Sequence, residues 1–252
     1  MRSATLDDVD KLVDLEERSW KSHLKADKKK IESFINKYAA GQYVYEVDNV
    51  IRGILYTQRI SSFEQLLNGK FETQTDLHSS DGTIIQLCSI AAPYPKFGNV
   101  GDLLRNYALQ EARKNPQIIE VVAMTRCSKF EHSPENSPSQ SIAEQNIYYE
   151  KYARSGKDPT LFFHMSGGAE IVQIVHGYRP KDADNLGNAI LIRYNIRGKN
   201  NVSYLLCGPY IELPIILHHL SFIRVLFSLR FLPVVSVLLS LLIQIYLKRQ
   251  MN

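Results

Sequence analysis

The stretch from Gly82 to Pro116 constrains this chain more than any other. Thr83–Ile90 is a β-rich run, apolar enough to lie centrally in a sheet. It passes through Ala91-Ala92-Pro93-Tyr94-Pro95 into Lys96-Phe97-Gly98-Asn99-Val100-Gly101. Leu103, Leu104, Tyr107, Ala108, Glu111 and Ala112 then recur at helical spacing up to Asn115-Pro116. A strand that feeds a glycine-bearing turn and a long helix offers backbone N–H groups and a helix N-terminus to an anion. A plain tight turn, using glycine for its positive φ, is the other reading of the same residues.

The flanking segments predict the rest of a domain. Thr5 or Asp7 caps a helix whose face holds Val9, Leu12, Val13, Leu15, Glu16 and Trp20, with Glu16 the polar intruder. Ile31, Phe34, Ile35 and Tyr38 make a second helix face over Lys28–Tyr38, ended by Gly41. Tyr43–Val47 and Ile51–Thr57 flank Asp48-Asn49 and predict a hairpin. Residues 61–82 read as a polar connection with a short helix near Phe63–Leu67. Ile118–Cys127 predicts a strand with Val121, Ala123, Thr125 and Cys127 on one side and Val122, Met124 and Arg126 on the other. Residues 131–146 read as a mobile surface loop, 147–155 as a helix, Glu170–Val175 as a helix or strand, and Ala189–Ile196 as the last strand. Helices separated by paired strands predict a mixed α/β domain over residues 1–198.

Composition enters where it excludes function classes. Residues 199–252 hold five basic side chains against one acidic, so this tail carries the whole formal net charge of +4 and residues 1–198 are balanced. A basic footprint for nucleic acid is therefore absent from the predicted domain. The 3 cysteines, Cys88, Cys127 and Cys207, include no C-x-x-C pair, and no H-E-x-x-H occurs, so neither a disulfide framework nor a metal site is expected. No apolar run follows Arg2, which predicts a protein that is not secreted.

The tail itself is apolar. Phe231–Leu247 is uncharged and followed by Lys248-Arg249, and extension back to Val225 meets only Arg230. About 20 apolar residues span a bilayer, and an Arg near a helix end snorkels. Three readings of 199–252 stand on the sequence: a membrane-associated or spanning helix through 225–247 at the cytoplasmic face, a helical hairpin packed on the domain, or a non-native terminus.

Four separated motifs carry a resemblance. They are Ala123-Met124-Thr125-Arg126-Cys127, Phe163-His164 with Gly168-Ala169, Gly177-Tyr178-Arg179-Pro180 through Asn185, and the Leu191-Ile192-Arg193-Tyr194 strand. With the strand–turn–helix order, they resemble the Gcn5-related N-acetyltransferase (GNAT) superfamily, and within it the GNAT-like domains of polyketide synthase loading modules. The resemblance covers roughly residues 1–197. The superfamily's coenzyme A loop reads Gln/Arg-x-x-Gly-x-Gly/Ala, and its positions fall here on Lys96, Asn99 and Gly101. The fold this implies is a central mixed twisted sheet flanked by helices. The activity it implies is decarboxylation of malonyl-CoA and transfer of the acetyl group to an acyl carrier protein thiol.

The resemblance puts the catalytic pair on His164 and Thr125 and the substrate pocket on Arg179 and Trp20. It assigns a coenzyme A thioester, malonyl-CoA or acetyl-CoA, to Ile90, Lys96, Phe97, Gly98, Asn99, Val100, Gly101 and Asp102, with no metal. No Asp-Ser-Leu triplet follows the domain, so the carrier is expected on a separate chain. In this chemistry His164 donates to the enolate oxygen and, titrating near neutrality, later supplies a proton. Thr125 hydrogen-bonds the carboxylate or carbonyl, Arg179 binds the malonyl carboxylate, and Trp20 excludes water. The plain alternatives are a structural His164, an Arg179 salt bridge to Asp182 or Asp184, and a core Trp20. An acyl-cysteine on Cys127 is a further route. Conventional N-acetylation from acetyl-CoA and a non-catalytic carrier-docking or membrane-tethered module are the other function classes.

Overall fold

A computed structural model of the chain describes residues 1–21, 23–69, 71, 76–93, 99–130 and 141–197. The readings made for Lys96, Phe97 and Gly98, for residues 131–140 and for the whole tail, including 225–247, lie outside the described residues. All described residues fall in one unit, Met1–Lys199.

Seven strands form one mixed sheet in the order β1-β2-β3-β4-β5-β7-β6. They are β1 (Arg2–Ser3), β2 (Tyr43–Val47), β3 (Val50–Ile60), β4 (Ile84–Ala91), β5 (Glu120–Thr125), β6 (Ala169–Val175) and β7 (Ala189–Tyr194). The helices are α1 (Val9–Ser19), α2 (Lys28–Tyr38), α3 (Glu64–Asn68), α4 (Val100–Lys114), α5 (Ile142–Arg154) and α6 (Pro159–Ser166). Among the described strands only β4 and β5 pair in parallel, with α4 as their crossover. The β2–β3 hairpin turns on Asp48 and Asn49, both at positive φ, as their short polar side chains allow.

Alternation along the strands sorts the core onto two faces. Leu55, Ile85, Leu87, Val121 and Ala123 pack with Leu104, Ala108, Tyr149 and Tyr152 of α4 and α5. Ile54 and Tyr56 face Leu12, Leu15, Ile31 and Phe34 of α1 and α2. Val122 and Met124 join Ile60, Ile84 and Leu191 in a third cluster. Thus β5 divides its side chains as period two requires.

Two readings need correction. Helix α5 begins at Ile142, five residues before the expected start, because Ser141 and Glu144 form a reciprocal capping box. The Ser-x-x-Glu spacing was present in the sequence but lay inside a run read as loop. The tight-turn reading does not hold at Gly101, which lies in the first turn of α4 and does not take a positive φ.

One irregularity in β4 positions everything that follows. Tyr56 pairs with Ser89 while Thr57 pairs with Leu87, so Cys88 is an extra residue in β4, a bulge. Parallel pairing of β4 with β5 stops at Leu87↔Ala123, although β4 runs on to Ala91 and β5 to Thr125. The bulged strand bends away, and the two strands part at their C-terminal ends.

Candidate active site

Where β4 and β5 separate, a cleft of about 600 Å3 opens. Cys88, Ser89 and Ile90 line it from β4, and Met124, Thr125 and Arg126 from the end of β5. The parting leaves backbone polar groups on the facing edges of both strands without a sheet partner, available to an amide-bearing chain. Asn99, Gly101 and Asp102 bring the start of α4 to the same cleft, and Asn99 makes no side-chain capping bond. Among the described residues no side chain caps the first N–H groups of this 15-residue helix, which suits them to meet an anion. A Cβ on Gly101 would meet nothing nearer than Phe163 at 3.5 Å, so the backbone there is open. These features fit a nucleotide thioester, with the pyrophosphate on α4 and the acyl arm between the strands. Val100 differs from its neighbours: it is buried in the core against Gly53 and does not face the cleft.

His164, Thr125, Arg179 and Trp20 line this one cleft. His164 is carried on α6, which Pro159 opens and Asp158 caps. Asp158 is completely buried and accepts from Thr160 N and Leu161 N, and also from Ser128 N and Lys129 N after β5. One carboxylate therefore fixes the helix bearing His164 to the strand bearing Thr125. His164 Nδ1 lies 2.6 Å from the Tyr194 hydroxyl. Burial, aided by the Arg105 charge, pushes the imidazole down to about 3. The expectation that His164 titrates near neutrality is therefore corrected: the ring is neutral, a donor at one nitrogen and an acceptor at the other.

Arg105 was not anticipated. It is only 3% exposed, yet it sits on the same stripe of α4 as Ala108 and Ala112. Its guanidinium donates to the Phe163 carbonyl, pairs with Asp102 at 2.8 Å and lies 4.5 Å from the centre of the Phe163 ring. It thus ties the first turns of α4 to α6. The signal was a charge on an apolar stripe three residues after an aspartate.

The remaining polar motif residues divide between cleft and scaffold. Arg179 does not bridge to Asp182 or Asp184. Its Nη2 donates to Met124 O at 2.7 Å, and its guanidinium lies 4.2 Å from the centre of the Phe71 ring. Arg126 takes the aspartates instead, 2.7 Å from Asp182 and 3.6 Å from Asp184. Asn185 accepts from Cys127 N and the Tyr149 hydroxyl, stitching β5 to α5. Cys127 itself is fully buried in the core, and burial pushes its thiol up to about 12, so the acyl-cysteine route loses its nucleophile. His176 hydrogen-bonds Asn188 and Glu150. Among the described residues no group of His, Cys, Asp and Glu suits a metal ion, and no helix is long and apolar enough to cross a membrane.

No protein-family model matches the chain, and no curated protein matches it. Solved structures do. The fold is similar to the GphF GNAT-like decarboxylase in complex with isobutyryl-CoA, at 30% identity and a TM-score of 0.69, over 78% of this chain and 98% of that one. The loading GNATL domain of CurA from Lyngbya majuscula is 31% identical with a TM-score of 0.68, over 77% and 96% of the two chains. Malonyl-CoA decarboxylase from Rhodopseudomonas palustris shares the fold alone, at 13% identity and a TM-score of 0.52, over 77% of this chain and 54% of that one.

Proposed function

Because this chain belongs to the GNAT superfamily, in the group of GNAT-like decarboxylase and loading domains, we propose that it decarboxylates malonyl-CoA and passes the acetyl group to the thiol of a separate acyl carrier protein. The observation that carries this reading is the convergence of His164 and Thr125 on one cleft headed by the N-terminus of α4. The isobutyryl-CoA held by the GphF domain supports a coenzyme A thioester as the ligand.

In the first step the bond between the malonyl C2 and its carboxylate breaks. CO2 leaves, and the electron pair moves through C2 onto the thioester oxygen as an enolate. The barrier falls most through a donor aimed at that oxygen. In the tautomer protonated at Nε2, a neutral His164 accepts at Nδ1 from the Tyr194 hydroxyl 2.6 Å away and presents Nε2–H for this role. Its neutrality matters, because a donor of low acidity stabilises the enolate oxygen by a hydrogen bond without giving up its proton to it. Thr125 supplies a hydroxyl at the end of β5, suited to hold the thioester carbonyl or the carboxylate so that the breaking C2–carboxylate bond stands out of the plane of the thioester carbonyl. C2 then takes a proton from solvent, which completes acetyl-CoA. In the second step the carrier's thiolate attacks the acetyl carbon and coenzyme A leaves as its thiolate, with the same donors on the tetrahedral oxyanion.

The purified full chain is to be incubated with malonyl-CoA, following acetyl-CoA by chromatography and CO2 by isotope release, then with a phosphopantetheinylated carrier protein followed by mass. Acetyl-CoA with an equal yield of CO2, and an acetyl mass increment on the carrier, are expected. Intact malonyl-CoA after many equivalents of enzyme-time would remove the decarboxylase reading, and acetylation of an amine peptide from acetyl-CoA would replace it. Residues 225–247 are proposed to hold the protein at the cytoplasmic membrane face. Flotation of the full chain with liposomes tests this, and recovery only in the unbound fraction overturns it.

A further inference from the structure

The cleft has an end populated by donors that lack acceptors. Lys30 lines it from α2, beneath the described Phe71, whose backbone N–H is held by Tyr178 O. The Lys30 ammonium sits 4.8 Å from the centre of the Phe71 ring, and the Arg179 guanidinium 4.2 Å from the same centre. Two cations against one ring repel, yet among the described residues neither is paired with a carboxylate. Arg179 spends Nη2 on a carbonyl, and its buried Nε has no partner. Trp20, also lining the cleft, buries an indole N–H without a partner. Glu16, a buried acid whose charge acts on Lys30, turns one oxygen to Ala26 N, leaves the other without a partner and makes no ion pair with the ammonium. Asp102, the acidic residue that lines the cleft, is taken by Arg105.

A partly buried ammonium against an aromatic face, without an ion pair among the described residues, is costly unless an anion completes it. A carboxylate of the bound acyl group would meet Lys30, Arg179 and Trp20 as donors and offset one of the two positive charges. We propose that Lys30 is a specificity-determining residue that, with Arg179, forms a carboxylate subsite selecting acyl-CoA thioesters that carry a second, free carboxylate. This deepens the decarboxylase reading and rests on it: the subsite names the dicarboxylic thioester class as substrate and a plain acyl-CoA as product. Because the ammonium stabilises the charged ground state, it contributes to binding more than to the departure of CO2.

The test compares Kd for sulfoacetyl-CoA, whose sulfonate cannot leave as CO2, with Kd for acetyl-CoA, by calorimetry on the full chain. The native protein is expected to favour the anionic acyl group about tenfold. Lys30→Met is expected to abolish that preference while leaving acetyl-CoA affinity and the melting temperature unchanged, and Lys30→Arg to retain it. In turnover, Lys30→Met raises KM for malonyl-CoA about tenfold and leaves kcat within twofold. Equal affinities in the native protein, or a preference that survives in a folded Lys30→Met, overturn the inference. Malonyl-CoA turnover without any such preference leaves the decarboxylase reading standing and removes only the subsite; preference without turnover does the reverse.

Discussion

His164 Nδ1 and the Tyr194 hydroxyl lie 2.6 Å apart, joining α6 to the last residue of β7 inside the core. A phenol that donates to Nδ1 leaves the proton of the neutral imidazole on Nε2. The hydrogen bond fixes the ring orientation, and with the phenol as donor it goes with the tautomer that presents Nε2–H. Tyr194 acts through His164 and is a positioning residue.

Removing the donor and removing its support should differ in size. His164→Ala is expected to lower kcat for malonyl-CoA about 100-fold. Tyr194→Phe keeps the ring volume and is expected to lower it by roughly threefold to tenfold, the scale of one neutral hydrogen bond. Steady-state rates with matched circular dichroism check both. Equal losses in the two variants would show that Tyr194 does more than orient.

Burial depresses His164 to about 3 in the folded protein against an ordinary value of 6.5. Between those values the unfolded chain binds the extra proton, so His164 makes the fold less stable as pH falls from 6.5 towards 3. The same shift predicts a kcat/KM profile without an inflection near 6.5. Replacing Arg105 by Met removes a repelling charge and is expected to move His164 upward. NMR titration of the imidazole measures this directly.

Glu16 gives the opposite slope. It is fully buried, and burial raises its carboxyl from 4.5 to about 7. Between those values the folded state holds a proton that the unfolded chain has released, so stability falls as pH rises through this window. The full change is roughly 3 kcal/mol. Glu16→Gln keeps an acceptor for Ala26 N and should flatten urea-unfolding stability between pH 5 and 8, gaining most at pH 8.

Two glycines should respond differently to alanine. A Cβ on Gly53 would lie 2.7 Å from Val100 and 2.9 Å from Leu104, where β3 meets the first turns of α4. Gly53→Ala is expected to lose about 1–3 kcal/mol by overpacking and to weaken coenzyme A binding by lifting the helix. At Gly101 the space is open towards Phe163. Gly101→Ala should keep its melting temperature yet bind coenzyme A more weakly, because the methyl stands where the pyrophosphate approaches. Calorimetry with coenzyme A beside thermal melts separates the two.

Local periodicity was enough for most of the secondary structure, since the pattern that makes α2 amphipathic or splits β5 between two faces lies within a few residues. Four motifs likewise carried the superfamily and named His164, Thr125 and Arg179, and the resemblance added Trp20; the four share one cleft. Charge state and pairing were not legible. That His164 is neutral depends on a desolvated core and on Arg105, 59 positions earlier in the chain; that Arg126 and not Arg179 takes Asp182 depends on which strand end faces which loop. The Cys88 bulge that parts β4 from β5 leaves no mark in an apolar run, because register is a property of two strands. Short-range order follows from the residues themselves, whereas a cleft, its electrostatics and its unpartnered donors arise only when distant segments meet and exclude water.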